Sequence, residues 1–154
     1  MVIKDSMMHS VIEDALRKFW AEDALLVRVG ARKETIAHRL AVRLEHELST
    51  TLIYSRHNVD LLCEKRAEGV AVRVDIVVHE RGTHARNAIA LACAVNALSR
   101  QEREKLVRLA SPPFRFGLCL AVVFRPDKDY FLFYVVNKEG FLRRRIKKDK
   151  VKIR

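Results

Sequence analysis

The hydrophobic positions change period part-way along the chain. Between residues 10 and 26, Val11, Ala15, Leu16, Phe19 and Trp20 recur at the three- and four-residue intervals that line one face of a helix. Ser10 stands where it can cap that helix, with Glu13 three residues on. Residues 33 to 49 repeat the pattern through Ile36, Ala37, Leu40, Ala41, Leu44 and Leu48, and Gly30 is a natural break between the two helices. After Asn58 the period falls to two. Val59 to Glu64 reads as a strand with imperfect alternation, Glu68-Gly69 as its turn, and the valine-rich stretch Val70 to His79 as the next strand. Asn87 to Val95 is almost wholly apolar and of strand length. Its alanines make helix the competing assignment, but the short connection before it and a separate helix signal after it favour a strand. That helix runs from Ser99 or Arg100 to about Ala110. Ser99 and Glu102 form a capping box, Leu98, Leu106, Leu109 and Ala110 make the core face, and Pro112-Pro113 ends it. Phe116 to Phe124 and Tyr130 to Val136 are strands joined by a turn at Arg125 to Asp129. The order α-α-β-β-β-α-β-β predicts an α/β or α+β fold whose mixed-direction sheet is flanked by helices.

Composition adds three constraints. The 154 residues fit one domain, here bounded at 1–140, and 49% hydrophobic with 32% charged residues is a globular balance. Cys63, Cys93 and Cys119 are odd in number, lie in apolar stretches and have no C-x-x-C spacing. They read as core thiols of a reducing cytoplasm, not as a zinc site or disulfide framework. The chain opens without a signal-peptide apolar region, and no apolar run approaches the roughly 20 residues of a membrane span.

Charge is the most uneven property. The net +11 is concentrated in residues 141–154, where Arg143, Arg144, Arg145, Lys147, Lys148, Lys150, Lys152 and Arg154 face Asp149 alone, a net +7. We read this block as a basic C-terminal tail. Such a field attracts polyanions, nucleic acid first among them. It lacks the aromatic anchors and broad apolar face of a membrane-surface helix. A solvating basic end is the plainer alternative.

The residue that asks for chemistry is Asp75, a lone carboxylate in an apolar strand. Buried and unpaired it would cost several kcal/mol, so it must meet solvent, a partner or a cation. Hydrolysis of a phosphodiester by a bound Mg²⁺ requires carboxylate ligands around the ion and a group that manages the attacking water. Adjacent strands can supply both, because side chains at i and i+2 point the same way.

Several segments together resemble the PD-(D/E)XK nuclease superfamily, and within it small restriction-endonuclease-like proteins, over residues 30 to 135. Arg32-Lys33-Glu34 with His38-Arg39-Leu40-Ala41 is similar to the first-helix signature, and Val59-Asp60 with Glu64 to the first strand. Val74-Asp75-Ile76-Val77-Val78-His79-Glu80-Arg81-Gly82 is similar to the metal-ligand strand, with Val74 where proline is usual. Asn87 opens the strand that carries Glu-x-Lys in the family, and Glu104-Lys105-Leu106 is similar to the helix that follows. The resemblance implies a restriction-endonuclease-like sheet flanked by helices, and a lineage of metal-dependent DNA endonucleases using Mg²⁺ or Mn²⁺. It places the metal ligands at Asp75 and position 92, and the water-orienting lysine at position 94. It also brings a first-helix glutamate toward the site, Glu34 before Glu45.

The departure falls on the chemistry. Ala92 stands at the second acid and Ala94 at the lysine, and alanine supplies neither an oxygen ligand nor an ammonium. Losing one transition-state group costs roughly 3–4 kcal/mol, so this chain is expected to hold the metal weakly or not at all and to be silent as a nuclease. Natural degeneration and deliberate inactivating substitution both account for the two alanines.

Arg39, Arg43, Arg73, Arg81 and Arg86 surround the proposed cleft in sequence, and with Arg143, Arg144, Arg145, Lys147 and Lys148 are the candidate phosphate contacts. His79 shares the Asp75 strand face about 13 Å further on, which makes it a positioning or surface residue. Asp60 and Glu64 are rim acids, and Lys105 is a further candidate phosphate contact. Phe114, Phe116, Phe131 and Phe133 read as core. The expected partner is DNA, with a homodimer compatible with cutting two strands and no membrane. The alternative is a non-catalytic nucleic-acid-binding or assembly module, and an acidic protein partner for the basic block is a third possibility.

Overall fold

The two amphipathic patterns fold against each other and against one face of a sheet. The computed structural model describes residues 5–50, 57–137 and 139–148. Helix α1 (Asp5–Arg28) begins before Ser10, which lies inside it, and helix α2 (Lys33–Ser49) has the expected bounds. Gly30 adopts φ +72°, a left-handed conformation open to glycine, and so ends the first helix. All six apolar residues expected on α2 are buried.

The sheet contains β1 (Asn58–Ala67), β2 (Val70–His79), β3 (Ile89–Val95), β4 (Leu118–Phe124), β5 (Tyr130–Asn137) and β6 (Gly140–Lys147), in that spatial order. Neighbours are antiparallel except β3 and β4, which run parallel from Ile89/Leu118 to Val95/Phe124. A parallel pair needs a crossover, and helix α3 (Arg100–Ala110) supplies it. The Ser99 hydroxyl caps α3, accepting from the Glu102 N–H at 3.1 Å. One core unites α1 and α2 with Ile89, Leu91, Leu120, Val122, Phe131 and Phe133. A second unites α3 with Ala90, Ala92, Ala121, Val123 and Phe114. Helices on both faces explain why β3 and β4 are apolar at nearly every position. This is the mixed sheet flanked by helices that the patterning predicts, an architecture shared by many folds.

The sheet also takes in a segment read as tail. Residues 140–147 pair with β5 along its length, from Asn137/Gly140 to Tyr130/Lys147. The ordered sheet therefore extends past the boundary drawn at residue 140, and only 149–154 of the basic block lie outside the described residues. Ile146 explains the pairing: it is buried in the α1/α2 core, so its arginine-rich neighbours are held on a strand.

Strand β2 changes character at Asp75. Val72 and Val74 pack in the α3-side core, but Ile76 and Val78 pack on the α1/α2 side, so the alternation of side chains reverses between them. The β1–β2 register skips one pair there, Leu62 with Asp75, and Leu62 sits at φ +49°. Beyond Ile76/Leu91 the pairing of β2 with β3 ends. Asp75 thus stands at the point where two central strands part.

Candidate functional site

At that parting the Asp75 side chain takes over the role of the missing backbone partner. Its Oδ2 accepts the Cys93 N–H at 2.8 Å, and the residue is 6% exposed. Lys33, the first residue of α2, places its ammonium 3.2 Å from the same oxygen and 3.6 Å from Glu102 Oε1 on α3. Lys105 lies 3.6 Å from Glu102 as well. The cluster therefore holds two carboxylates and two lysines, brought together by β2, α2 and α3. Burial pushes the Asp75 carboxyl above its usual range, and the Cys93 N–H and Lys33 restrain that rise. Burial pulls Lys33 down, but the Asp75 and Glu102 carboxylates outweigh it and leave the ammonium more basic than usual.

The sequence placed Asp75 here and named a different first-helix partner. Glu34 is exposed and pairs with Arg32 at 3.8 Å; the helix residue on Asp75 is Lys33. Helical spacing explains the difference. Lys33 lies three and four residues before the buried Ile36 and Ala37, in line with the core stripe. Glu102 was read only as part of a cap, yet it stands four and seven residues before the buried Leu106 and Leu109. Both were identifiable as charged residues on an apolar stripe.

Positions 92 and 94 face the α3 side. Ala92 is 0% exposed in that core, and Ala94 is half-buried against it. Of the metal set implied by the resemblance, Asp75 is a carboxylate and Ala92 is packed methyl. Asp75 and Glu102 converge on Lys33 Nζ, and among the described residues no group of three or more His, Cys, Asp or Glu is arranged to hold a metal ion. As arranged, the Asp75 and Glu102 carboxylates share the Lys33 ammonium as their counter-charge.

The candidate phosphate contacts differ in how far the fold already engages them. Arg39 pairs with Asp23 at 3.3 Å and Arg43 with Glu22 and Asp23, so both join α2 to α1. Arg86 pairs with Glu80, and Arg81 grips Asp60 through two hydrogen bonds of 2.9 and 2.6 Å. Lys148 donates to the Arg125 and Lys128 carbonyls and lies over the Trp20 ring at 3.9 Å, which ties it to the fold. Arg73 remains exposed and lines a cleft of about 330 Å³ between β2 and α3 with Lys105 and Arg108. Arg143, Arg144, Arg145 and Lys147 are exposed on β6. Arg145 lies 4.7 Å from the Tyr130 ring centre, and Arg144 reaches Glu13 at 4.0 Å.

A second polar chain lies at the other end of the β1–β2 ladder. Asp60 Oδ2 is 2.7 Å from His79 Nε2, and His79 Nδ1 is 2.8 Å from Lys65 Nζ. The hydrogen bonds from Arg81 hold the Asp60 carboxyl down to about 2. An ionised carboxylate only accepts, so His79 carries its proton on Nε2 and its Nδ1 accepts from Lys65. His79 is buried and, through desolvation, less basic than usual. It is an interior link between strands, where the sequence placed a positioning or surface residue. Phe114, Phe116, Phe131 and Phe133 are all buried, as is the core thiol pair Cys93 and Cys119, with Cys63 half-buried.

Among the described residues no helix is long and apolar enough to cross a membrane. No protein-family model matches the chain, and no curated protein matches it.

Proposed function

We propose that this protein binds DNA through the basic edge strand β6 and keeps the frame of a metal-dependent phosphodiester-cutting site without cutting. The observation that carries the reading is the display of Arg143, Arg144, Arg145 and Lys147 on a paired edge strand. Neither β5 nor β6 contains an acidic residue. Cations held on a strand lose less conformational freedom on meeting a phosphate backbone than the same cations on a loose tail. Silence rests on the buried Ala92, on Ala94, and on the Lys33 ammonium that already neutralises Asp75. Asp75 here organises the gap between β2 and β3: it satisfies the Cys93 N–H and docks α2 and α3 through Lys33.

One observation favours a second reading. Lys33, Asp75 and Glu102 are the same inventory, one lysine and two acids, that the Asp plus Glu-x-Lys arrangement would provide, supplied from different elements. In that reading the site is an active hydrolase whose lysine comes from α2.

One set of assays separates the two. Duplex and single-stranded DNA are incubated with the wild-type chain and Asp75→Ala in Mg²⁺ or Mn²⁺, and binding is measured across salt concentrations. The proposal expects no metal-dependent cutting by either protein. It also expects the log–log salt slope to fall by about 2.7 in the triple variant Arg143→Ala/Arg144→Ala/Arg145→Ala, for three lost phosphate contacts. Cutting that disappears in Asp75→Ala would establish the active reading. An unchanged slope would remove β6 from the interface.

A further inference from the structure

Among the described residues, Lys65 is a buried cation without a counter-ion. It is 5% exposed, on β1, and its ammonium donates to His79 Nδ1 at 2.8 Å and to the Thr83 carbonyl at 3.2 Å. Both acceptors are neutral, and among the described residues no carboxylate lies within ion-pair reach of it. Buried charges in proteins are ordinarily paired. Two of the three ammonium hydrogens have partners, which leaves one donor.

Lys65 is one of the residues lining an open cavity of about 500 Å³, formed by β1, the end of β2 and the turn from Arg81 to His84, and its Nζ also lies 5.9 Å from the Phe116 ring centre. The other charges of the lining are already matched. Asp60 is held by Arg81, and Glu64 by Arg66 at 2.8 Å. His79 is neutral with its Nε2–H on Asp60, and His84 Nε2 donates to the Arg66 carbonyl at 2.9 Å. Each guanidinium uses two of its five N–H donors on its carboxylate, so both keep donors at the rim. One buried ammonium and two partly engaged guanidinium groups match an oxyanion with several acceptor oxygens better than a single carboxylate.

The geometry points to this cleft as a binding site for a phosphoryl dianion, seated on the Lys65 ammonium with Arg66 and Arg81 at the rim. The shared chemistry covers inorganic phosphate and the terminal phosphate of a nucleic acid. The site is independent of the β6 strand. Burial without a counter-ion makes Lys65 less basic than usual, and a bound dianion reverses that by supplying the missing charge.

The test uses the full chain and inorganic phosphate at constant ionic strength, with chloride as the control. NMR follows the Lys65 ammonium and the His79 imidazole, and calorimetry measures affinity. Saturable shifts of both resonances are expected with phosphate and not with chloride. Lys65→Gln is expected to weaken binding at least tenfold, and Arg66→Ala several-fold. Resonances that respond to phosphate no more than to chloride would overturn the site, as would a folded Lys65→Gln that binds as tightly as the wild type. The wild-type spectra decide the matter even where the variant does not fold. A second arm compares 5′-phosphorylated and 5′-hydroxyl oligonucleotides on the triple β6 variant. Preference for the phosphorylated end supports a nucleic-acid terminus as the source. Equal affinity alongside intact phosphate binding supports the free ion. Loss of DNA binding in the β6 variant with phosphate binding retained shows the two surfaces to be separate.

Discussion

The two polar clusters of the β1–β2 region are opposites in charge. At Asp75 a buried carboxylate meets a built-in cation, Lys33, and a second acid, Glu102, shares that cation. At Lys65 a buried ammonium donates to two neutral acceptors, and Asp60 is committed to His79 and Arg81. The first cluster carries its own counter-charge and is electrostatically closed. The second lacks one and opens onto a cavity. A site lined by the right residue types is available to a ligand only where the chain has not already supplied the ligand's charge.

Adding a buried charge elsewhere in the core tests that contrast most severely. Ala92→Glu puts a carboxylate into the apolar α3-side core, and we expect it to destabilise the protein by on the order of 3 kcal/mol or more in urea unfolding. Stability restored to the wild-type level by Mg²⁺ would show instead that the gap between β2 and β3 accepts a metal, and would weaken the silent reading. Lys33→Met removes the built-in cation, and at neutral pH we expect a cost of about 2 kcal/mol, less than for a fully buried pair because the Lys33 side chain is 39% exposed. The sign of its pH dependence follows from Asp75. The folded-state pKa of that carboxyl is already raised by burial and rises further without Lys33. Its penalty is therefore relieved at low pH and grows as pH rises through the folded value. A deficit as large at pH 4 as at pH 8 would mean that Lys33 acts by packing and not by charge.

The open cluster should respond less. Lys65→Met removes a charge that no carboxylate matched, leaving one imidazole nitrogen and one carbonyl short of a donor, so a cost of about 1 kcal/mol is expected. A loss equal to that of Lys33→Met would erase the distinction between the clusters. Asp60 gives the smallest effect, because its Arg81 partner is exposed and screened by solvent, and the clearest pH window. Its pKa falls from 3.8 to about 2 on folding, so the stability it provides is complete above the unfolded value and is lost as pH falls through the folded one. Thermal unfolding of the wild type should therefore weaken between about pH 4 and pH 2 more steeply than that of Asp60→Asn. Parallel curves would show that the Asp60–Arg81 contact does not survive in solution.

Much of the fold was legible because its signals are local. The stripe Ile36, Ala37, Leu40, Ala41, Leu44, Leu48 belongs to a single helix, and the valine-rich run of β2 to a single strand. Two local readings failed for different reasons. Ser10 has the chemistry of a cap, but the helix continues through it because Met8, Val11 and Ile12 are buried against the core. The basic run 143–147 has the composition of a tail, but Ile146 and pairing with β5 hold it in the sheet. At the site, Asp75 was legible as a carboxylate that needed a partner. Its partner was not, since Lys33 is forty-two residues away in sequence and its neighbour Glu34 has an equally plausible charge.

By itself, then, the sequence determined the helices, the strands, the isolation of Asp75 and the absence of side-chain chemistry at positions 92 and 94. These follow from periodicity and residue type, which act within a few residues of one another. Only the tertiary structure decided which charges meet. The parting of β2 from β3 and the placing of the α2 and α3 N-termini bring Lys33 and Glu102 to Asp75, while the β1–β2 ladder buries Lys65 beside His79 without an acid. Electrostatic pairing acts over a few ångströms in space, and the separation of these residues along the chain carries no record of it.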